Sequence, residues 1–398
     1  MGMPPYVKIS VGRQSLADGE SESAMSNYLP FTRPTIDEQT IESVAEVLRS
    51  GWITTGPKVE QFEQGLCEYL GGKRRVRAFL HATGALEEAL VMAGIQPGDE
   101  VIVPAMTFAA TANVVVRLGA KPVLVDVDLK SRSLLLDQAA AALTAKTRAI
   151  MPVHLNGLAV DLDGVYALAK QHRLRVVEDA AQAIGTLYKG RKLGSFGDIV
   201  VFSFHANKNL TTIEGGAVSV ASAEEAQTLE ILRFHGITKF ADGTMDVTRA
   251  ASKHNMTDVA ACIGLGQLQR LDEFNRKRRQ LAYRYFELLA DEQLGVVPVR
   301  GDEGHSWHMF TLLPRYNSAC PDRKTLRERM HKRGIGLGIH YQALNQFTLY
   351  RNMGYAEGRF PNAERIGRET VTLPLFPAMA MSDVERVCEA LADCLKAA

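Results

Sequence analysis

Apolar residues near the start of the chain recur at helical spacing, and farther on they gather into short continuous runs. Thr35-Ile36-Asp37-Glu38 has the spacing of a capping box, and Ile41, Val44 and Leu48 then share one face, with Gly51 as the stop. Trp52-Ile53-Thr54-Thr55-Gly56-Pro57 is turn-rich and cannot be helical throughout. Beyond Ala82 the period changes. Strands are expected at 101–104, 122–127, 149–153, 175–177, 199–204 and 217–220, with helix-sized segments such as 161–172 between the earlier ones. Runs that are apolar throughout, rather than alternating, belong to strands buried on both faces. The strand–helix–strand order predicts an α/β fold with a mostly parallel central sheet covered by helices.

A long amphipathic segment at 263–291 reads as the bridge to a second, smaller α/β unit beginning near Val296. That unit holds a strand-like stretch at 307–313 and helices at 322–333 and 382–397. The expected organisation is an extension over 1–26, a large domain over 27–270 and a small domain with its linking helix over 271–398. The first residues contain Pro4, Pro5, Gly12 and Gly19 without a signal peptide's apolar centre, so they read as a flexible extension, with Met25 as a second candidate start.

Composition narrows the function. Charged residues make up 23% and hydrophobic residues 46% of the 398, which suits a globular chain rather than a disordered one. A net charge of +1 offers no broad basic field for nucleic acid, so any anion site must be local. No run reaches the roughly 20 apolar residues of a membrane span. The five cysteines are scattered without a CxxC pair, which fits a reducing compartment and a cytoplasmic setting. No spacing of ligand residues calls for a metal.

In an open parallel sheet, ligands sit beyond the carboxyl ends of the strands. Asp179 follows Val176-Val177-Glu178. Ser203, His205 and Lys208 follow or close the run 199–204, and Thr107 and Phe108 follow the run 101–104. Thr83 and Gly84 precede a helix rich in Ala and Leu, where free backbone N–H groups make an anion site. Singly, each has an ordinary reading: a solvated loop lysine, a helix-capping aspartate, a glycine turn at Gly215-Gly216. Together, a lysine, an acid and a phosphate cradle on one sheet edge form a site.

Val177-Glu178-Asp179-Ala180-Ala181-Gln182-Ala183-Ile184-Gly185, followed by Phe202-Ser203-Phe204-His205-Ala206-Asn207-Lys208-Asn209 through Glu214-Gly215-Gly216, resembles the DegT/DnrJ/EryC1/StrS family of pyridoxal 5'-phosphate (PLP)-dependent sugar aminotransferases. Ser50-Gly51-Trp52-Ile53-Thr54-Thr55-Gly56-Pro57, Asn255-Met256-Thr257-Asp258 and Leu373-Pro374-Leu375-Phe376-Pro377 extend the resemblance from about residue 28 to the end. Within the family the chain is most similar to enzymes that aminate a UDP-linked 4-keto-pentose for lipid A modification, a part of lipopolysaccharide biosynthesis.

The resemblance implies a PLP fold-type I aminotransferase, a homodimer with shared sites, glutamate as donor and ping-pong kinetics. It places Lys208 at the Schiff-base position and Asp179 against the pyridine nitrogen. Gln182 falls near the phenolic oxygen and Phe108 on the ring face. Thr83, Gly84 and Ser203 are placed at the phosphate, joined by Asn255 from the partner. Trp307, His308, His340 and Tyr341 match segments that line the substrate entrance. A retained lysine sets the chain apart from a branch that deoxygenates sugars with a histidine there. One departure stands out. Many members carry Ser-Gly-Thr at the phosphate loop, where this chain reads His81-Ala82-Thr83.

Three alternatives remain open at this stage. The acceptor could be a different keto-hexose nucleotide of O-antigen or antibiotic sugar synthesis. The chain could be a non-catalytic regulator on the same fold. It could also run another fold-type I reaction such as cysteine desulfuration, although no cysteine has an activating neighbour in sequence.

Overall fold

The computed structural model describes residues 28–289, 295–296, 298, 301 and 303–396; the expected extension over 1–26 lies outside them. Strands appear in the order β1 (Arg75–Phe79), β2 (Glu100–Pro104), β3 (Lys121–Val125), β4 (Thr147–Ile150), β5 (Arg175–Asp179), a short hairpin β6 (Leu187–Tyr188) and β7 (Arg191–Lys192), β8 (Ile199–Ser203) and β9 (Gly216–Val220). They continue with a hairpin of β10 (Ile237–Lys239) and β11 (Met245–Val247), then β12 (Gly295–Val296), β13 (Phe310–Pro314) and β14 (Val371–Leu373). The seven-stranded central sheet has the order β1-β9-β8-β5-β4-β2-β3. Strands β8, β5, β4, β2 and β3 are parallel, and β9 is antiparallel to both β8 and β1.

Both faces of the parallel strands are covered, which is why their sequences are apolar throughout. Val101, Val103, Val177, Ile199 and Val201 belong to one core. Ile102, Ile150, Val176, Val200 and Phe202, one residue out of phase, belong to the opposite core. A third core gathers Leu281, Tyr285, Trp307, Phe310, Leu326, Val371 and Leu391 around β13 and β14. The cores interleave along the sequence. Leu29 packs into the third core, whereas Ala343, Leu344, Tyr350 and Ile366 pack on the central sheet.

Three departures from the sequence pattern have physical causes. Strand β1 was not expected, because Arg75 and Arg77 break its apolar run; it is the antiparallel edge strand, and Arg77 pairs with Glu63 and Glu230. Strand β4 stops before Pro152, which has no N–H for a ladder, although Val153 still bridges Asp179. The first helix (Glu38–Ser50) is capped by the Asp37 carboxylate, which accepts from the Thr40 N–H at 2.8 Å. Thr40 and Val47 are its buried residues, so Ile41 and Leu48 lie outward, about half exposed.

Strands β3 and β4 flank β2 on opposite sides, so the loops leaving β2 and β4 diverge. This is the topological switch point at which such sheets open a crevice at their carboxyl edge.

Candidate active site

Asp179 is the last residue of β5 and is almost fully buried. Its Oδ2 accepts from the Thr111 hydroxyl at 2.8 Å, and its Oδ1 accepts from the Ala181 N–H at 3.1 Å. Thr111 sits in the helix Ala110–Arg117 that follows Phe108, so the β2 loop and the end of β5 are tied together. Burial holds the Asp179 carboxyl above the usual carboxylate range, against the lowering effect of these bonds and of Lys208 and His154.

Lys208 lies in the turn after β8, its own N–H bonded to the His205 carbonyl at 2.8 Å. Burial lowers its ammonium to about 8, opposed by the attraction of Asp179. The two groups therefore act on one another electrostatically.

The turn that carries Lys208 is fastened by the next residue. Asn209 Nδ2 donates to Asn275 Oδ1 and to the Ser306 carbonyl, each at 2.8 Å, and its Oδ1 lies 3.1 Å from His308 Nδ1. Arg278 in turn donates to the carbonyls of His308 and Leu375. Asn209→Ala is expected to leave these buried groups unpaired, at about 2–3 kcal/mol. The measurement is a lower denaturant midpoint together with weaker cofactor absorbance. An unchanged midpoint would show that the anchor is dispensable.

The anion cradle forms where β1 meets the helix Ala82–Met92. Here Gly216 matters, because a Cβ on it would lie 2.7 Å from Ala82 N and Cα and push the helix start away from β9. Ser203, paired in register with Gly216, is almost fully buried. Its Oγ accepts a long 3.5 Å bond from the His205 N–H, and among the described residues its own proton has no acceptor. Thr83 stands at the first turn of the helix beside Gly84.

The ring of Phe108 lies open at the site. Phe108 is 57% exposed, although it is a large apolar side chain at the mouth of a covered sheet. Its one ring neighbour at the site is Tyr341, 5.6 Å away between centroids. Tyr341 Oη accepts from Gln182 Nε2 at 2.9 Å, and Gln182 Oε1 accepts from the Asn156 N–H at 2.7 Å. The residues present thus fit PLP: an open aromatic platform, a buried carboxylate opposite a lysine, and a hydroxyl donor beside a helix N-terminus.

The remaining expected residues are placed less uniformly. His340 Nδ1 lies 2.7 Å from Thr372 Oγ1, and burial pushes it down to about 3. Burial and the nearby Lys208 push His308 well below the ordinary histidine range, so both rings are neutral. The substrate contact expected of Trp307 needs correction. Its indole is fully buried, stacked 3.7 Å on His305 and packed on Phe286 and Phe310, so it serves the core. Asn255 is bonded within its own protomer, donating to Thr55 Oγ1 at 2.6 Å and accepting from Lys253 at 3.0 Å. The sequence reading missed Thr111 and Asn209. Thr111 had a signal in Thr107 four residues earlier, whose hydroxyl it meets at 2.8 Å. The partners of Asn209 are 66 to 99 residues away and left none.

A model of the DegT/DnrJ/EryC1/StrS aminotransferase family matches residues 34–392. Among solved structures, the chain is similar to the Streptococcus pneumoniae protein Spr1654 in its PMP form, described as a sugar aminotransferase. Identity is 33%, coverage 92% of this chain and 97% of that one, and the TM-score 0.87. Helicobacter pylori PseC, an aminotransferase of pseudoaminic acid biosynthesis, matches at 27% identity over 92% of this chain and 99% of its own, with a TM-score of 0.87. DesI, solved in the presence of its TDP-sugar product, matches at 31% identity over 93% of each chain, with a TM-score of 0.83.

Proposed function

The chain belongs to the DegT/DnrJ/EryC1/StrS family of PLP-dependent sugar aminotransferases, and we propose that this member moves an amino group from glutamate to a nucleotide-linked 4-keto-sugar, with UDP as the nucleotide. The observation that carries the reading is Lys208 in the turn after β8, its ammonium lowered to about 8 by burial and in electrostatic interaction with the buried Asp179 that ends β5. When bound, PLP supplies an electron sink that stabilises negative charge developing on the substrate carbon. The chain's own residues do the rest. With PLP bound, Lys208 Nζ, neutral above about 8, would be the base that takes and returns the substrate proton. Asp179 would be the residue that holds the cofactor's ring nitrogen protonated, and Thr111 fixes its carboxylate in position.

A nucleotide-linked acceptor is supported by DesI, whose structure contains a TDP-sugar product. The likeness of the sequence motifs to enzymes acting on UDP-linked 4-keto-pentoses favours that sugar over a keto-hexose. A shared-site homodimer is supported by large apolar groups left outward in the single chain. Ile41, Leu48, Trp52, Ile53, Met245 and Val247 are each 45–64% exposed in the single chain. Among the described residues no helix is long and apolar enough to cross a membrane.

The test is a panel of 4-keto and 3-keto sugar nucleotides assayed with glutamate and PLP. Glutamate-dependent amination of a UDP-4-keto-pentose, with parallel lines in a double-reciprocal analysis, is the expected result. Turnover confined to hexoses would move the reading to O-antigen or antibiotic sugars. Cofactor binding with no turnover on any member would favour the regulator.

A further inference from the structure

His81 stands immediately before the helix that opens the cradle, and the structure shows what its ring does. It is the N-cap of the helix Ala82–Met92, and its Nδ1 accepts from the Gly84 N–H at 2.8 Å. A neutral imidazole that accepts at Nδ1 carries its proton at Nε2. A serine hydroxyl in the same place can accept from the amide and still offer a proton to a phosphate oxygen. The imidazole cannot do both through Nδ1. While His81 caps the helix, the Gly84 amide is unavailable to an anion.

A second histidine closes the arrangement. The His254 ring lies 5.2 Å from that of His81, edge to face. It also sits against Gly84, where a Cβ would come within 2.6 Å of His254 Nδ1. Among the described residues, both His254 nitrogens are buried without a hydrogen-bond partner, and Nε2 is 3.8 Å from Glu88 Oε1. Burial and the neighbouring His81 lower His254, and burial raises Glu88 to about 7. The other charges acting on His254 are Glu87 on the same helix and Arg117, paired with Glu87 from the helix Ala110–Arg117. Across the cradle, the Ser203 proton is still uncommitted.

We propose that His81 is a placeholder and positioning residue at the cofactor cradle: its Nδ1 and the cofactor phosphate compete for the Gly84 amide, so that phosphate uptake frees the ring to bind a proton beside the anion. This rests on the PLP reading above. The balance is one N–H···N bond broken, one N–H···O bond to phosphate formed, and one proton taken from solvent onto Nδ1.

The probe is pyridoxamine 5'-phosphate added to the cofactor-free protein, because it cannot link covalently to Lys208; unphosphorylated pyridoxamine is the control. Calorimetry in two buffers of different ionisation enthalpy counts protons, and 15N-labelled histidine reports on Nδ1. Wild type is expected to take up more protons than His81→Ser, whose hydroxyl keeps the helix capped. His81→Ser should bind the phosphate compound about tenfold more tightly at pH 8, one charge-assisted hydrogen bond's worth. That gap should narrow as pH falls, and pyridoxamine should bind both proteins equally. Equal proton uptake, equal affinity for the phosphate compound, or the same change with pyridoxamine would each overturn the placeholder while leaving the PLP reading intact. If neither protein binds pyridoxamine 5'-phosphate, the PLP reading itself falls and takes this proposal with it.

Discussion

Lys208→Ala is expected to lower turnover on the order of 10⁴-fold or more, because the variant loses the primary amine that would carry the proton. The visible absorbance of the lysine-linked cofactor should vanish with it. Lys208→Arg should fail equally, since a guanidinium stays protonated and cannot attack an aldehyde. A small primary amine such as ethylamine should restore part of the rate in the alanine variant, which separates lost chemistry from lost folding. In wild type, the rate at which the cofactor-free protein captures PLP should rise with pH through about 8 and then level, because only the neutral amine reacts. Activity near wild type in Lys208→Ala would remove the proposed mechanism.

The second large effect belongs to Asp179→Asn. The expected loss in turnover is roughly 10²–10³-fold, the size seen when one preorganised electrostatic partner is removed. The fold should survive. Asparagine Oδ1 can still accept from the Ala181 N–H, and its Nδ2 can donate to Thr111, whose hydroxyl already reaches the Phe108 carbonyl. Stability gives an independent readout. Asp179 is raised in the folded chain, so the native state binds its proton more tightly than the unfolded chain does. Its contribution is thus fully present below the unfolded value near 3.9 and declines as pH rises through the raised folded value. The cofactor-free wild type should therefore lose stability over that interval, while Asp179→Asn should not. Matching pH profiles for the two proteins would mean that the carboxylate is not under strain in the empty site.

The parallel strands were legible because each is buried on both faces, and burial of that kind writes an unbroken apolar run. Thus β2, β5 and β8 stand where their runs predicted, and Asp179 and Lys208 close the edge that those runs define. Strand β1 was not legible. An edge strand meets solvent on one side, so Arg75 and Arg77 are tolerated and the run disappears. The outward face of the first helix misled in the opposite sense. Ile41, Val44 and Leu48 follow helical spacing, yet the side chains packed inward are Thr40 and Val47. Periodicity locates a stripe but does not say which neighbour covers it. Trp307 failed for a related reason: an aromatic beside a histidine reads the same in a core as at a pocket mouth.

The sequence by itself determined the parallel strands, their carboxyl edge and the chemical identities on it, since local burial and residue type decide those without reference to distant parts of the chain. Tertiary structure alone decided how the groups behave. The depressed ammonium of Lys208 and the raised carboxyl of Asp179 come from burial in the folded chain. Asn209 holds its turn through residues 306 and 308, and His81 claims the Gly84 amide with His254 against it, over 170 residues on. Proton affinity and hydrogen-bond competition depend on what surrounds a group in space, and chain order does not encode that surrounding directly.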